Sequence, residues 1–327
     1  MLVLGANLTQ DRVVRLPELV PGAVLRALSV DVAPGGKPVN VARVGAALGA
    51  RSVLVANCPG ATGLDLAREL ADAGLEVVPV QTDGDLRAAT LLLESGGRTT
   101  VINEPGPPLD AASAAALLAA VDVALGSGTH RVVVLSGSLP PDTPDDLYAE
   151  AVRTAHRHGA LALVDASGPA LAAALEAGPD LVTPNLAEAE SLLQGLGATG
   201  ATELVDEEGA DIDVRARAAA ASLVRLGARA ALVSGGRHGA ALWADGRSWW
   251  FAAPSVVTVN AVGAGDSLLG GVAAGLQRGD PLVDAVRLGV AAAAVSVTRT
   301  GPGDVDAATV EDMLARVPAA IDEEMGR

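Results

Sequence analysis

Short, wholly apolar runs alternate along this chain with longer stretches of helical periodicity, and no other feature limits its fold as strongly. The runs are Leu2–Leu4, Val53–Val55, Val132–Leu135, Leu161–Val164, Leu181-Val182 and Ala230–Val233. Periodic segments separate them: Leu64–Ala73, Pro144–His158, Leu186–Leu193 and Val214–Leu226. A strand with no polar alternate is buried on both faces, as happens in a parallel sheet covered by helices. The spacing therefore predicts an α/β protein with a doubly wound (Rossmann-like), mainly parallel sheet flanked by helices.

Two regions break the alternation. Residues 11–34 and 76–106 carry strand-like pieces (Val77–Val80, Ala89–Glu94, Thr99–Asn103) with no helix between them. They predict a small antiparallel β lid inserted into a core formed by residues 1–10, 35–75 and 107–327. Residues 195–210, Gly-rich and then acidic, read as a surface loop.

Composition narrows the function. The net charge of −16 over 327 residues argues against nucleic acid or an anionic membrane as partner. It leaves phosphate ligands open, because backbone amides and a metal ion reverse the sign locally. Cys58 is the single cysteine, so no internal disulfide forms and a reducing compartment fits. The first residues lack a basic leader, and no apolar stretch reaches the ~20 residues of a membrane span. The expectation is a cytoplasmic protein.

The segment Val256–Gly275, VVTVNAVGAGDSLLGGVAAG, carries the most chemistry. A strand-like run leads into Gly263-Ala264-Gly265, and a small-residued helix follows from about Asp266. Small residues let the backbone aim free N–H groups outward at a helix N-terminus, which is an anion site. An aspartate there repels phosphate unless its task is to take a proton from a hydroxyl attacking that phosphate. A plain helix cap is the competing explanation. In Pro34–Arg43, PGGKPVNVAR, glycines, a lysine and an asparagine precede a helix and suit a polyhydroxyl ligand, or else only a glycine turn. Gly195-x-Gly197-x-x-Gly200 follows a helix rather than a strand, so it is not a dinucleotide fingerprint. The four histidines show no metal spacing.

These strings resemble the ribokinase/PfkB carbohydrate kinase superfamily, whose C-terminal signature is G-A-G-D, and the resemblance covers almost the whole chain. It implies Asp266 as catalytic base and the amides of Gly263, Ala264 and Gly265 as anion hole. PGGKPVNVA is similar to the family's G-G-K-G-x-N-V-A, with Pro38 in place of a glycine, and implies Gly35, Gly36 and Asn40 as sugar contacts and Lys37 for a substrate phosphate. Asn7–Asp11 (NLTQD) is similar to N-P-x-x-D, whose aspartate, here Asp11, binds sugar hydroxyls. Ser136–Pro140, Asp165–Gly168 and Thr100–Pro107 resemble the 1-phosphofructokinase and tagatose-6-phosphate kinase branch, with Ser136 and Arg87 as further acceptor contacts.

On the nucleotide side, Val233–Leu242 is similar to S-x-G-x-x-G-A, so Ser234, Gly236 and Gly239 would contact ATP, with the small-residued helix Leu288–Val297 beside the adenine. Pro184-Asn185 followed by Glu188 matches P-N-x-x-E, implying Asn185 at the nucleotide and Glu188 acting indirectly on Mg²⁺. Asn260, Val262 and Gly301 stand where the family's monovalent cation, K⁺, takes its ligands. Two departures bear on the acceptor: Thr183 replaces the lysine of K-P-N, and T-R-x-N is reduced to Leu86-Arg87-Ala88-Ala89.

The resemblance thus implies ATP-dependent phosphotransfer, with fructose 1-phosphate the leading acceptor on the strength of Thr100–Pro107, Lys37 and Arg87. Thr183 and Ala89 point to the alternative, an unphosphorylated sugar, cyclitol or nucleoside. A non-catalytic sensor is disfavoured by an intact Asp266, G-A-G run and Glu188. The helix-free lid predicts a homodimer joined through its strands.

Overall fold

The computed structural model describes residues 1–195 and 211–323, so most of the expected 195–210 loop lies outside the described residues. The chain opens with β1 (Leu2–Gly5), β2 (Thr9–Leu16), β3 (Ser29–Gly35) and α1 (Lys37–Ala47). It continues through β4 (Val53–Pro59), α2 (Gly60–Asp72), β5 (Glu76–Thr82), β6 (Ala88–Glu94) and β7 (Thr99–Asn103). A regular alternation follows: α3 (Ala111–Leu125), β8 (Val132–Ser136), α4 (Leu147–Arg157), β9 (Leu161–Asp165), α5 (Gly168–Glu176), β10 (Leu181–Val182) and α6 (Leu186–Leu193). The last third holds α7 (Ile212–Arg225), β11 (Ala230–Ser234), β12 (Gly239–Ala244), β13 (Arg247–Ala252), α8 (Ala264–Arg278), α9 (Leu282–Ser296), α10 (Ala307–Leu314) and β14 (Ile321–Glu323).

Ten strands form the main sheet in the order β14-β13-β12-β11-β10-β9-β8-β1-β4-β5. From β5 to β11 every pairing is parallel, and β12 to β14 continue antiparallel. The apolar runs of the sequence are these strands, buried on both faces. Helices α1, α2, α8, α9 and α10 bury one face and α3 to α7 the other, each over its own continuous apolar cluster. Strand order reverses between β1 and β8, and ligands of doubly wound sheets bind outside the strand ends at such a point.

The small residues of α8 serve close packing. A methyl on Gly270 would stand 2.8 Å from Val44 of α1, and one on Gly271 would stand 2.6 Å from the Gly289 backbone of α9. α9 is likewise a packed core helix along most of its length.

The smaller sheet runs β3-β2-β6-β7. Two of its expectations need correction. Its outer pairs are antiparallel, but the central β2–β6 pair is parallel. Residues 76–82 do not belong to it: β5 pairs in parallel with β4 as an edge strand of the main sheet. An edge position tolerates Pro79, which lacks the ladder N–H. Among the described residues, no helix is long and apolar enough to cross a membrane.

Candidate active site

Helix α1 packs against β1, β8 and α8, and its first turns reach acids at the end of β9, in α6 and at the start of α8. α1 begins at Lys37 after Gly36, whose φ of 96° suits glycine, and Pro38 occupies its first turn, where the missing N–H costs no helix bond. Its first two turns present donors to separate carboxylates. The Lys37 ammonium lies 3.2 Å from Asp165 Oδ2 at the end of β9 and 3.8 Å from Glu188 Oε1 in α6. One turn on, Asn40 Nδ2 donates to Asp266 Oδ2 at 2.8 Å.

Asp266 is 6% exposed. Burial pushes its carboxyl up to about 7, opposed by Lys37 and the Asn40 amide, and raised further by Asp165 and Asp11. A carboxylate titrating near neutrality is suited to accept a proton and then release it. The helix begins at Ala264, capped by Gly263 in the left-handed region, so Asp266 sits in the first turn and not at the cap. The cap explanation for this residue therefore fails: its side chain makes no cap bond and is held by Asn40. The Ala264 amide donates back to Ala261 O at 3.3 Å, and those of Gly265 and Asp266 have no partner within the helix. Open space lies where a side chain on Gly265 would point.

Asp11 comes from β2. Burial raises its carboxyl to about 6, opposed by Arg87, Arg43 and the Gly36 amide. Gly35 makes room for it, since a methyl there would fall 2.0 Å from Asp11 Cγ. Asp11 and Asn40 border one cavity of about 500 Å³ between the small sheet, α1 and the 300–305 loop.

Several predicted ligands have structural work of their own. Arg87 donates to backbone carbonyls of Asn7, Leu8 and Glu104 at 2.9 to 3.3 Å, clamping the turn that leads to Asp11. Ser136, 1% exposed, donates to Asp165 Oδ2 at 3.1 Å and so orients Lys37's partner. The buried Tyr148 hydroxyl lies 3.1 and 3.0 Å from the carbonyls of Ser136 and Gly137. Asn185 and Glu188 form a reciprocal capping box, Glu188 N to Asn185 Oδ1 at 2.8 Å and Asn185 N to Glu188 Oε2 at 3.0 Å. That leaves Glu188 Oε1 facing Lys37. Burial raises Glu188, and Lys37 opposes the rise.

On the nucleotide side, Ser234 ends β11 with its amide on Pro184 O at 3.2 Å, which brings it beside Asn185. Gly236 opens a single 3₁₀ turn with free space about it, whereas Gly239 is required by packing: a methyl there would meet Phe251 O at 2.1 Å. Asn260 donates to Thr300 O at 3.0 Å and accepts from Val262 N at 3.0 Å, joining the 260–262 and 300–301 segments. Among the described residues, no three or more His, Cys, Asp or Glu side chains cluster as a metal site.

Sequence reasoning missed Arg43 and the roles of Ser136 and Tyr148 as supports. The spacing Lys37-x-x-Asn40-x-x-Arg43 was the available signal for Arg43, since residues three apart form one ridge of a helix.

A family model for pfkB family carbohydrate kinases matches residues 3–308. The 1-phosphofructokinase of Bacillus subtilis is 31% identical over 284 residues, covering 87% of this chain and 88% of that protein. The ATP-dependent 6-phosphofructokinase isozyme 2 of Escherichia coli is 32% identical over 289 residues, covering 87% and 88%. The crystal structure of phosphofructokinase-2 from Escherichia coli in complex with potassium superposes with a TM-score of 0.82 at 28% identity, over 96% of this chain and 98% of that one.

Proposed function

The chain belongs to the pfkB family of carbohydrate kinases and is an ATP-dependent carbohydrate kinase, and from that premise we propose that its acceptor is fructose 1-phosphate, converted to fructose 1,6-bisphosphate. One observation carries the chemistry: Asp266 is buried, held by Asn40, raised to about 7 and placed in the first turn of α8.

Asp11 and Asn40 orient the acceptor in the cavity they border, with the Gly36 amide bonded to Asp11. Asp266 takes the proton from the acceptor hydroxyl as its oxygen bonds to the γ-phosphorus of ATP. The bond from that phosphorus to the bridging oxygen breaks, and ADP leaves with the electron pair. First-turn amides of α8 and the Lys37 ammonium offset charge on the transferring group. The proton then leaves Asp266 for solvent. Asp165 and Glu188 supply hard oxygen donors, the kind Mg²⁺ takes, and these two residues would hold Mg²⁺ with the nucleotide phosphates. Bound there, the ion would neutralise phosphate charge. Carbonyls of the 260–262 and 300–301 segments, joined through Asn260, suit K⁺.

A second acceptor reading, a free sugar, is favoured by the commitment of Arg87 to carbonyls and of Lys37 to Asp165. An ATP-consumption assay over fructose 1-phosphate, fructose 6-phosphate, free sugars, cyclitols and nucleosides decides between them. The highest kcat/KM is expected for fructose 1-phosphate; a higher value for an unphosphorylated acceptor replaces the first reading with the second.

The assembly we propose is a homodimer through the small sheet. Val30, Val32 and Ile102 stand 42%, 49% and 57% exposed, and strand register sets them on one face with half-buried Val14 and Leu92, away from the acceptor cavity. A second copy is the simplest cover for such a face. Its place is the cytoplasm, where ATP and sugar phosphates meet and a free Cys58 stays reduced.

A further inference from the structure

Three residues of α1, spaced three apart, point toward the acids of the site: Lys37 pairs with Asp165 and Glu188, Asn40 bonds Asp266, and Arg43 shares a cavity wall with Asp11, on which its charge acts. Neither the family signature nor the mechanism above gives the third a task. We propose that Arg43 is a positioning residue for the acceptor, holding the Asp11 carboxylate in place and tying the small sheet to α1.

The geometry supports both halves. Arg43 Nη1 donates to Pro34 O at 3.0 Å, and Pro34 lies in β3 opposite Gln10, next to Asp11 in β2. The bond bridges helix and small sheet one residue before the Gly35–Gly36 turn that joins them. Asp11 and Arg43 line the same cavity. Arg43 is partly buried among Asp11, Glu69 of α2 and Asp304, so its charge acts at short range with reduced screening. Arg87 is fixed to carbonyls of its own turn, whereas Arg43 bonds across from α1 to the small sheet.

The groups around Asp11 determine the sign of the pH test. Facing it are Arg87 before β6, Arg43 from α1, the Gly36 amide and Asp266 from α8. Arg15, Asp31 and Asp304 line the same cavity. An acceptor hydroxyl donates most strongly to Asp11 when that acid is ionised. Without the Arg43 charge the acid is held down less, so acceptor binding moves to higher pH.

This inference rests on Asp11 being an acceptor contact, and the experiment separates the two claims. Wild type, Arg43→Gln, Arg43→Lys and Asp11→Asn are compared by calorimetric binding of fructose 1-phosphate, or fructose 6-phosphate if that is the acceptor, from pH 5 to 8, with KM for ATP and Tm alongside. The phosphate's own titration is common to all four proteins and cancels. Arg43→Gln is expected to weaken acceptor binding at least tenfold, move its acid midpoint upward and change KM for ATP by less than twofold. Arg43→Lys should restore the midpoint. Unchanged acceptor binding in Arg43→Gln, with Asp11→Asn impaired, overturns the inference and leaves Asp11 standing. Equal losses for ATP and acceptor, or a midpoint that lysine does not restore, reduce Arg43 to a packing role and overturn it as well. An Asp11→Asn protein that binds acceptor like wild type, or a wild type that binds neither sugar phosphate, removes the acceptor reading itself.

Discussion

Replacing Asp266 by Asn removes the base while keeping shape and an oxygen to accept from Asn40, so the variant should lose activity and gain stability together. A positioned general base contributes ~10²–10⁴ in rate, and kcat should fall by that factor while ATP binding is retained. The stability gain follows from the same burial that tunes the acid. Holding a carboxyl at about 7 instead of its usual 3.8 costs the folded protein on the order of 4 kcal/mol once the group is ionised. The sign is that of a raised acid: the cost is absent below its unfolded value near 4, grows as pH rises, and is complete above 7. The gain from Asp266→Asn should therefore be near its full value at pH 8 and about 2 kcal/mol smaller at pH 5.5. Urea unfolding at the two pH values reads the difference, and steady-state kinetics at pH 8 reads the rate. Turnover within a factor of a few of wild type would remove Asp266 from the chemistry. A stability gain equal at both pH values would show that the acid is not held near neutrality.

Asn40→Ala removes the donor that helps keep Asp266 ionised, so the acid limb of kcat should move to higher pH and the loss should be larger at pH 6.5 than at pH 8.5; parallel profiles refute this. Arg87→Ala frees the carbonyls of Asn7, Leu8 and Glu104, and should lower stability by about 1–3 kcal/mol as well as raise the acceptor KM. A raised KM with unchanged Tm would make Arg87 a ligand first and a clamp second. Val32→Asp with Ile102→Asp should give a monomer by light scattering at micromolar concentration, and a dimer that persists rejects the small-sheet interface.

Local pattern was enough for most of the fold and for the helix start that carries Asp266. Leu2–Leu4, Val53–Val55 and Val132–Leu135 could bury no polar face, so they had to lie inside a covered parallel sheet. The GAGD string marked a helix start with an acid in its first turn, and α8 begins there with Gly263 as its cap. Pairing was beyond local pattern. β5 looks like β6 and β7 in composition, and only its ladder with β4 assigns it to the main sheet; β2 and β6 meet in parallel because the chain returns to the small sheet after building β4 and β5. The tasks of single side chains lay equally out of reach. Arg87 reads as a free cation until the fold brings three carbonyls around its guanidinium. Glu188 reads as a carboxylate with both oxygens free until Asn185 closes a capping box with one of them and leaves the other toward Lys37. Arg43 is an unremarked helix residue until β3 and Asp11 arrive opposite it. Sequence separation hides such contacts because a hydrogen-bond donor's partner depends on which elements stack, and stacking is decided by the whole core at once.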